Sequence, residues 1–223
     1  ACDERRARAY LESLPRPGPA VAVVNHPKQT VVAGPLPAIS ALLQELPTQG
    51  VAVTLLGSRY PFHSPWLEAA VGRFAVGISG IAAQEATVAP VFSPVDGQIH
   101  RRVEPILARL PTDLIRPLRF HDALQALYDK GVRTFIQCGY GSMLSRIVNH
   151  SLAGRDAVTA LHCGRKGSTL AAAMAAVIAQ AEAAKKISQR PDRAEPPQSG
   201  KSDSESALPA ADSPAHLDRT MLV

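Results

Sequence analysis

An α/β fold is predicted by two regularities of this 223-residue sequence. Runs of β-branched residues alternate with segments whose apolar residues recur at helical spacing, and the two kinds of segment alternate through most of the chain. In the second half the alternation is strand, helix, strand, helix, which is typical of a parallel sheet covered by helices. The length suffices for one substantial core, or for one domain with a small subdomain.

Residues 1–60 are predicted to form a small subdomain of ferredoxin-like type. The order of elements is helix, strand, strand, helix, strand, which matches a βαββαβ unit without its first strand. A turn at His26-Pro27-Lys28 joins the two adjacent strands. Because the first strand is lacking, we expect a sheet edge to be left uncovered. The elements are predicted at residues 3–14, 20–26, 29–34, 36–46 and 51–56.

Residues 61–186 are predicted to form a larger α/β part. Ser64 and Pro65 suit the cap and the first position of a helix. Further strands are expected within 88–92, 131–139 and 157–161, and further helices at 120–128, 143–152 and 169–186. From residue 187 onwards Pro, Ser, Asp and Ala dominate, so residues 187–223 are predicted to be a disordered linker or tail.

Composition and charge exclude several classes of function. The net charge is +5, but the basic residues occur in pairs rather than in a stripe interleaved with aromatic residues, which argues against a nucleic-acid binder and suits an acidic partner. The three cysteines have no spacing typical of a metal site or a disulfide framework, so a reducing cytoplasm is the expected location. No apolar run approaches the roughly 20 residues that cross a bilayer, so no membrane association is expected.

The sequence "YPFHSP" places His63 between a strand and a helix start. An imidazole titrates near neutral pH, so His63 is a candidate catalytic base. Polar residues are also common at turns and helix entrances, which is the ordinary structural interpretation. The residues alone leave both interpretations open.

Four blocks of the sequence carry a family resemblance, and they span residues 20–148. In their order and spacing they resemble the malonyl-CoA:acyl carrier protein transacylases and the acyltransferase domains of polyketide synthases. The resemblance implies an α/β-hydrolase-like large subdomain with a ferredoxin-like small one. The blocks are "VAVVNHPKQTVVAG", "YPFHSPWLEAA", "PVFSPVDG" and "LIRPLRFHDALQALYDKGVRTFIQCGYGSML".

The resemblance also implies a reaction, ping-pong transfer of a malonyl group. A serine takes the group from malonyl-CoA, and the phosphopantetheine thiol of an acyl carrier protein then takes it from the serine. A histidine serves as base for each incoming nucleophile and as acid for each leaving thiol. No cofactor or metal is implied, because the phosphopantetheine arrives on the carrier protein.

By position in "YPFHSP", His63 matches the family's catalytic histidine. The orienting acceptor on the other ring nitrogen is a main-chain carbonyl in this family, and Asp113 matches that position. The carboxylate of Asp113 is a possible aid to His63, and an equally weighted alternative is that Asp113 caps a short turn.

Phe62 and Asn25 are the candidate substrate-binding residues. Phenylalanine at the position of Phe62 is typical of malonyl users and serine of methylmalonyl users, since a phenyl ring fills the space that an α-methyl branch needs. The alternative is that Phe62 belongs to the core. Asn25 matches a family asparagine near the active site, although structural duty in its turn is favoured.

The family's nucleophile lies in a G-H-S-x-G strand–turn–helix, which this sequence lacks. The arginine that pairs with the malonyl carboxylate follows that motif in the family, so it is also missing. We therefore predict the C-terminal portion of an acyltransferase, inactive alone and completed by an N-terminal half or by neighbouring synthase domains. The alternative is a non-catalytic module that binds an acyl carrier protein, or an inactive fragment.

Overall fold

The computed structural model describes residues 3–82, 87, 89–164, 170–188 and 221–222. It confirms the α/β class and most of the predicted elements. The first part contains α1 (Glu4–Glu12), β1 (Ala20–His26), β2 (Gln29–Ala33), α2 (Leu36–Thr48) and β3 (Val53–Thr54). β1 and β2 form the predicted antiparallel hairpin.

Alternating apolar residues on β1 and β2 pack against one face of each of the two helices. The strands contribute Val21, Val24 and Val32, all of them buried. Leu42 of α2 is 2% exposed and lies in the same cluster. Because α1 and α2 both present one apolar stripe to this sheet, residues 4–54 share one core.

The second part begins with a 3₁₀ turn at Pro65–Leu67, directly after the predicted cap. Its sheet is the parallel pair β6 and β7, packed against α5 and α6 through Leu124, Ile147, Val148 and Leu152. The elements are α3 (Glu68–Ile78), β4 (Val91–Phe92), β5 (Ile99–His100), α4 (Val103–Asp113), α5 (Phe120–Asp129), β6 (Thr134–Tyr140), α6 (Met143–Ser151), β7 (Thr159–Gly164) and α7 (Leu170–Ser188).

Helix α4 was not predicted from the sequence, because two prolines obscure its pattern. Pro105 is the third residue of the helix, in the first turn, where a missing backbone N–H costs nothing. Pro111 lies near the other end and is buried. Pro105 is therefore compatible with the helix start, whereas Pro111 lies inside the helix and cannot donate a hydrogen bond to the carbonyl four residues before it.

Two residues of the predicted disordered tail instead pair with the sheet of the first part, and they lie between two of its strands rather than at the sheet edge that we expected to be uncovered. Met221–Leu222 form a short strand, β8, that pairs in parallel with both β2 and β3, and the sheet order is β1-β2-β8-β3. Helix α7 ends at Ser188, two residues beyond the predicted boundary of the tail. The rest of the predicted tail, residues 189–220 and 223, lies outside the described residues.

Residues 114–119, which follow α4, join the second part of the chain to the sheet β1-β2-β8-β3, called the small sheet below. The backbone N–H of Leu118 donates to Ala22 O at 2.9 Å, and the N–H of Val24 donates to Leu118 O at 2.9 Å. These bonds give the segment a parallel bridge to β1. The small sheet therefore fixes the position of the chain that follows Asp113.

None of the described helices is both long enough and apolar enough to cross a membrane.

An ion pair ties α1 to the start of α5. Arg119 donates from both terminal nitrogens to the Glu4 carboxylate, at 2.8 and 3.1 Å. This guanidinium hydrogen bond holds the pKa of Glu4 below its usual value of 4.5. Because the folded pKa is lowered, the pair stabilises the fold above the unfolded pKa, and that contribution is lost as the pH falls through the folded pKa.

Replacing Glu4 with glutamine removes its ion pairs with Arg119 and with Arg8, and is expected to lower the free energy of unfolding by about 1 kcal/mol at pH 7, because both pairs are partly exposed. The difference from the parent should disappear below the folded pKa of Glu4. Urea unfolding at several pH values measures both effects. Glu12→Gln on the same helix is the matched control, since Glu12 is exposed and has no ion pair among the described residues. An equal loss in the two variants would contradict the prediction.

Candidate active site

His63 has an unusual backbone conformation, held by the segment after α4. Its φ is +60°, in the left-handed region that costs a non-glycine residue about 1–2 kcal/mol. Its backbone N–H donates to Leu114 O at 2.7 Å. The next residue, Ser64, is fully buried and its hydroxyl donates to Pro61 O at 2.6 Å. Strain of this kind persists where neighbouring contacts hold it, and functional sites are frequent among such places.

The imidazole of His63 faces two main-chain carbonyls. Nδ1 lies 3.0 Å from Asp113 O and 3.2 Å from Arg116 O. Both partners are acceptors only, so Nδ1 carries the proton. In the neutral ring Nε2 then holds the lone pair, which is the form that a general base requires.

The two functional groups of Asp113 point to different partners. Its main-chain oxygen accepts from His63, whereas its carboxylate Oδ1 lies 3.6 Å from Arg109 Nε. Asp113 is the last residue of α4. The residue thus contacts His63 through the atom that the family resemblance implies, and no contact of its carboxylate with the imidazole is found among the described residues.

Phe62 projects from the loop before His63 rather than into the core. Its side chain is 47% exposed and its ring meets Tyr60 edge-on, with the centroids 6.0 Å apart. Phe62 is a member of neither buried core cluster of the described residues. A contact between this ring and the substrate stays a prediction.

A cavity of about 500 Å³ lies beside Phe62 and His63. Its volume falls within the usual range for small-molecule sites. The walls come from β1, β2, the start of α2 and the loop at residues 55–63, and they are mostly apolar. Arg59 adds one cation at this site.

Asn25 makes structural contacts and is not among the residues that line this cavity. Its Nδ2 donates to Gln29 Oε1 across the hairpin at 3.2 Å. Its main-chain oxygen accepts from the Ser151 hydroxyl at 3.0 Å, which ties β1 to α6. These contacts match the turn duty that the sequence favoured for Asn25.

The described part of the chain holds no cluster of three or more His, Cys, Asp or Glu side chains that suits a metal ion. The sequence did not point to the carbonyls of Leu114 and Arg116 as partners of His63. For Arg116 the sequence did carry one signal, because Pro117 disfavours a helical conformation at the residue before it.

Comparison with known proteins identifies relatives of this chain. No protein-family model matches the chain. Over 166 residues the chain is 30% identical to the phenolphthiocerol synthesis polyketide synthase type I Pks15/1 of Mycobacterium bovis, covering 74% of the chain and 8% of that protein. Over 154 residues it is 28% identical to a mitochondrial protein of Drosophila melanogaster described as a malonyl-CoA-acyl carrier protein transacylase, covering 66% of the chain and 40% of that protein.

Solved structures show the same likeness. The acyltransferase domain from the second module of the salinomycin polyketide synthase superposes with a TM-score of 0.65 at 25% identity, over 81% of this chain and 42% of that one. A malonyl transacylase solved with its type II polyketide synthase acyl carrier protein gives a TM-score of 0.67 at 20% identity, over 80% of this chain and 56% of that one.

The fold and these likenesses point to one family of proteins. The chain belongs to the family that comprises the malonyl-CoA:acyl carrier protein transacylases and the acyltransferase domains of polyketide synthases. It spans 8% of the mycobacterial synthase and 40% of the insect transacylase.

Proposed function

We propose that the chain is the C-terminal portion of an acyltransferase that moves a malonyl group from CoA to an acyl carrier protein. The observation that carries the proposal is the setting of His63, whose Nδ1 donates to main-chain carbonyls and whose Nε2 is thereby the basic atom. His63 lies at an apolar cavity large enough for an acyl group.

In the proposed reaction the nucleophile is a serine supplied by a G-H-S-x-G segment outside this chain. His63 Nε2 takes the proton of the serine hydroxyl as its oxygen attacks the malonyl thioester carbonyl, and returns that proton to the departing CoA sulfur. The carrier protein's phosphopantetheine thiol then attacks the malonyl-serine ester. His63 takes the thiol proton and returns it to the serine oxygen, which completes the cycle.

The second part of the chain supports the idea of a missing portion. Its parallel sheet has only β6 and β7 among the described strands, although most stable sheets have four to six strands. Ile136 on β6 is 46% exposed and Met143 at the start of α6 is 57% exposed. Apolar residues so placed fit a surface that further strands would cover, so we propose that this part belongs to an α/β-hydrolase-like subdomain.

The small sheet supports a ferredoxin-like unit that has lost one strand. β2 and β3 run parallel to each other, and a strand lies between them. In this chain Met221–Leu222 occupy that place. We propose that in the complete acyltransferase the place belongs to a strand that precedes α1.

The test is reconstitution with a second chain, the N-terminal half of a family member that carries G-H-S-x-G. Co-expression should give a complex that transfers radiolabelled malonyl from CoA to an acyl carrier protein, whereas this chain alone should transfer none. The control is the same complex with alanine in place of the serine of that motif, which should be inactive.

A stable complex that transfers no malonyl would contradict the proposal. If the chain alone also bound the carrier protein, that result would favour the non-catalytic carrier-binding module instead.

A further inference from the structure

A cluster of two carboxylates, a guanidinium and an imidazole lies behind the carbonyls that hold His63. It consists of Asp96, His100, Arg109 and Asp113, called the Arg109 cluster below. Each of the four side chains is only 15–17% exposed. Charged groups with so little exposure to water are stable only when they are paired.

Arg109 is the centre of this cluster. One of its terminal nitrogens contacts the Asp96 carboxylate and lies 3.0 Å from His100 Nε2. Its Nε faces Asp113 Oδ1 at 3.6 Å. The guanidinium therefore offsets the repulsion between the two carboxylates in a poorly solvated space.

The cluster joins two elements next to the site. Asp96 belongs to the turn between β4 and β5, and His100 ends β5. Arg109 and Asp113 are one helical turn apart on the same face of α4. Arg109 thus fastens the last turn of α4 to the β4–β5 hairpin.

That last turn is the part of α4 that contacts His63. Asp113 uses its carboxylate toward Arg109 and its main-chain oxygen toward His63 Nδ1. Leu114, the next residue, accepts the hydrogen bond from the His63 backbone. A movement of this turn changes both contacts together.

We propose that Arg109 is a positioning residue for His63. By holding Asp96 and Asp113 together, it fixes the end of α4 so that the carbonyls keep the proton of His63 on Nδ1 and the lone pair on Nε2. The consequence for catalysis rests on the function proposed above, whereas the effect on the imidazole is a property of this chain alone.

The test is NMR of the full chain labelled with ¹⁵N in its histidine rings, with the His63 signals assigned by a His63→Asn variant. In the parent the neutral His63 ring should show the Nδ1–H tautomer. Arg109→Met, which removes the charge but keeps an extended side chain, should convert His63 to a mixture of both tautomers. Arg109→Lys should retain most of the parent pattern.

Arg102→Met is the matched control, because it removes a nearby cation whose ion pair with Glu104 is exposed. It should leave the His63 signals unchanged. Asp113→Asn provides a milder perturbation, since it weakens the pairing with Arg109 and keeps the main-chain carbonyl. It should shift the tautomer ratio in the same direction as Arg109→Met, by a smaller amount.

Unchanged His63 signals in a folded Arg109→Met variant would overturn the inference. If that variant does not fold, Asp113→Asn decides, and the inference fails when a folded Asp113→Asn variant leaves the tautomer ratio as it is in the parent. A shifted tautomer in a chain that gives no active complex would sustain the role of Arg109 and reject the proposed function.

Discussion

Replacing His63 with asparagine is expected to reduce malonyl transfer by the reconstituted acyltransferase about 10²- to 10⁴-fold, which is the usual contribution of a general acid–base group. Asparagine is preferred to alanine for this test, because it tolerates the left-handed backbone of His63 better. The loss should appear in kcat, since a base acts on the proton being transferred and not on ground-state binding.

Steady-state assays, combined with the trapping of labelled malonyl-enzyme, measure this loss. His150→Asn is the matched control, since His150 is an exposed histidine on α6 and does not line the cavity. Its transfer rate should equal that of the parent. A His63→Asn complex with the parent rate would show that His63 is not the base.

Replacing Phe62 with serine is expected to raise the preference for methylmalonyl-CoA over malonyl-CoA about 10- to 200-fold, since one methyl group is worth about 1–3 kcal/mol in a pocket. The ring of Phe62 lines the cavity and lies close to Tyr60, so its removal opens space beside His63. The malonyl rate itself should change less than the ratio of the two substrates.

Competition between the two CoA esters, with the acyl carrier products separated by mass, measures that ratio. Phe74→Ser serves as the control, because Phe74 is a partly exposed phenyl group on α3 that does not line the cavity. Were the ratio the same in Phe62→Ser and in Phe74→Ser, the ring of Phe62 would have no part in selectivity.

Most helices and longer strands were predictable because their signals are local. The alternation on β1 and β2 and the apolar stripe of α2 each occupy a short window, and the structure has these elements at nearly the predicted bounds. β3 is shorter than its apolar run, because only Val53–Thr54 pair with a neighbouring strand. Helix α4 escaped prediction because a proline weakens a helical pattern even where the missing N–H is harmless.

The candidate site likewise has some features that the sequence predicts and others that only the structure shows. His63 and Phe62 are adjacent in one motif, so a sequence pattern suffices to single them out. The exposure of Phe62 needed the structure, because exposure is not a local property of the sequence. Its part in substrate selection stays a prediction. The Arg109 cluster was not anticipated at all, because its members bring together the turn after β4, the end of β5 and the last turn of α4.

The sequence by itself determined the α/β class, the family resemblance and the histidine two residues before the 3₁₀ turn, because each is recognised from the order and spacing of residue types along the chain. Only the tertiary structure decided which ring nitrogen of His63 carries the proton. That outcome rests on carbonyls 50 and 53 positions away in sequence, brought to the imidazole by α4 and by the bridge of Leu118 to β1. Contacts of this kind follow from the packing of whole elements, and no short stretch of sequence encodes them.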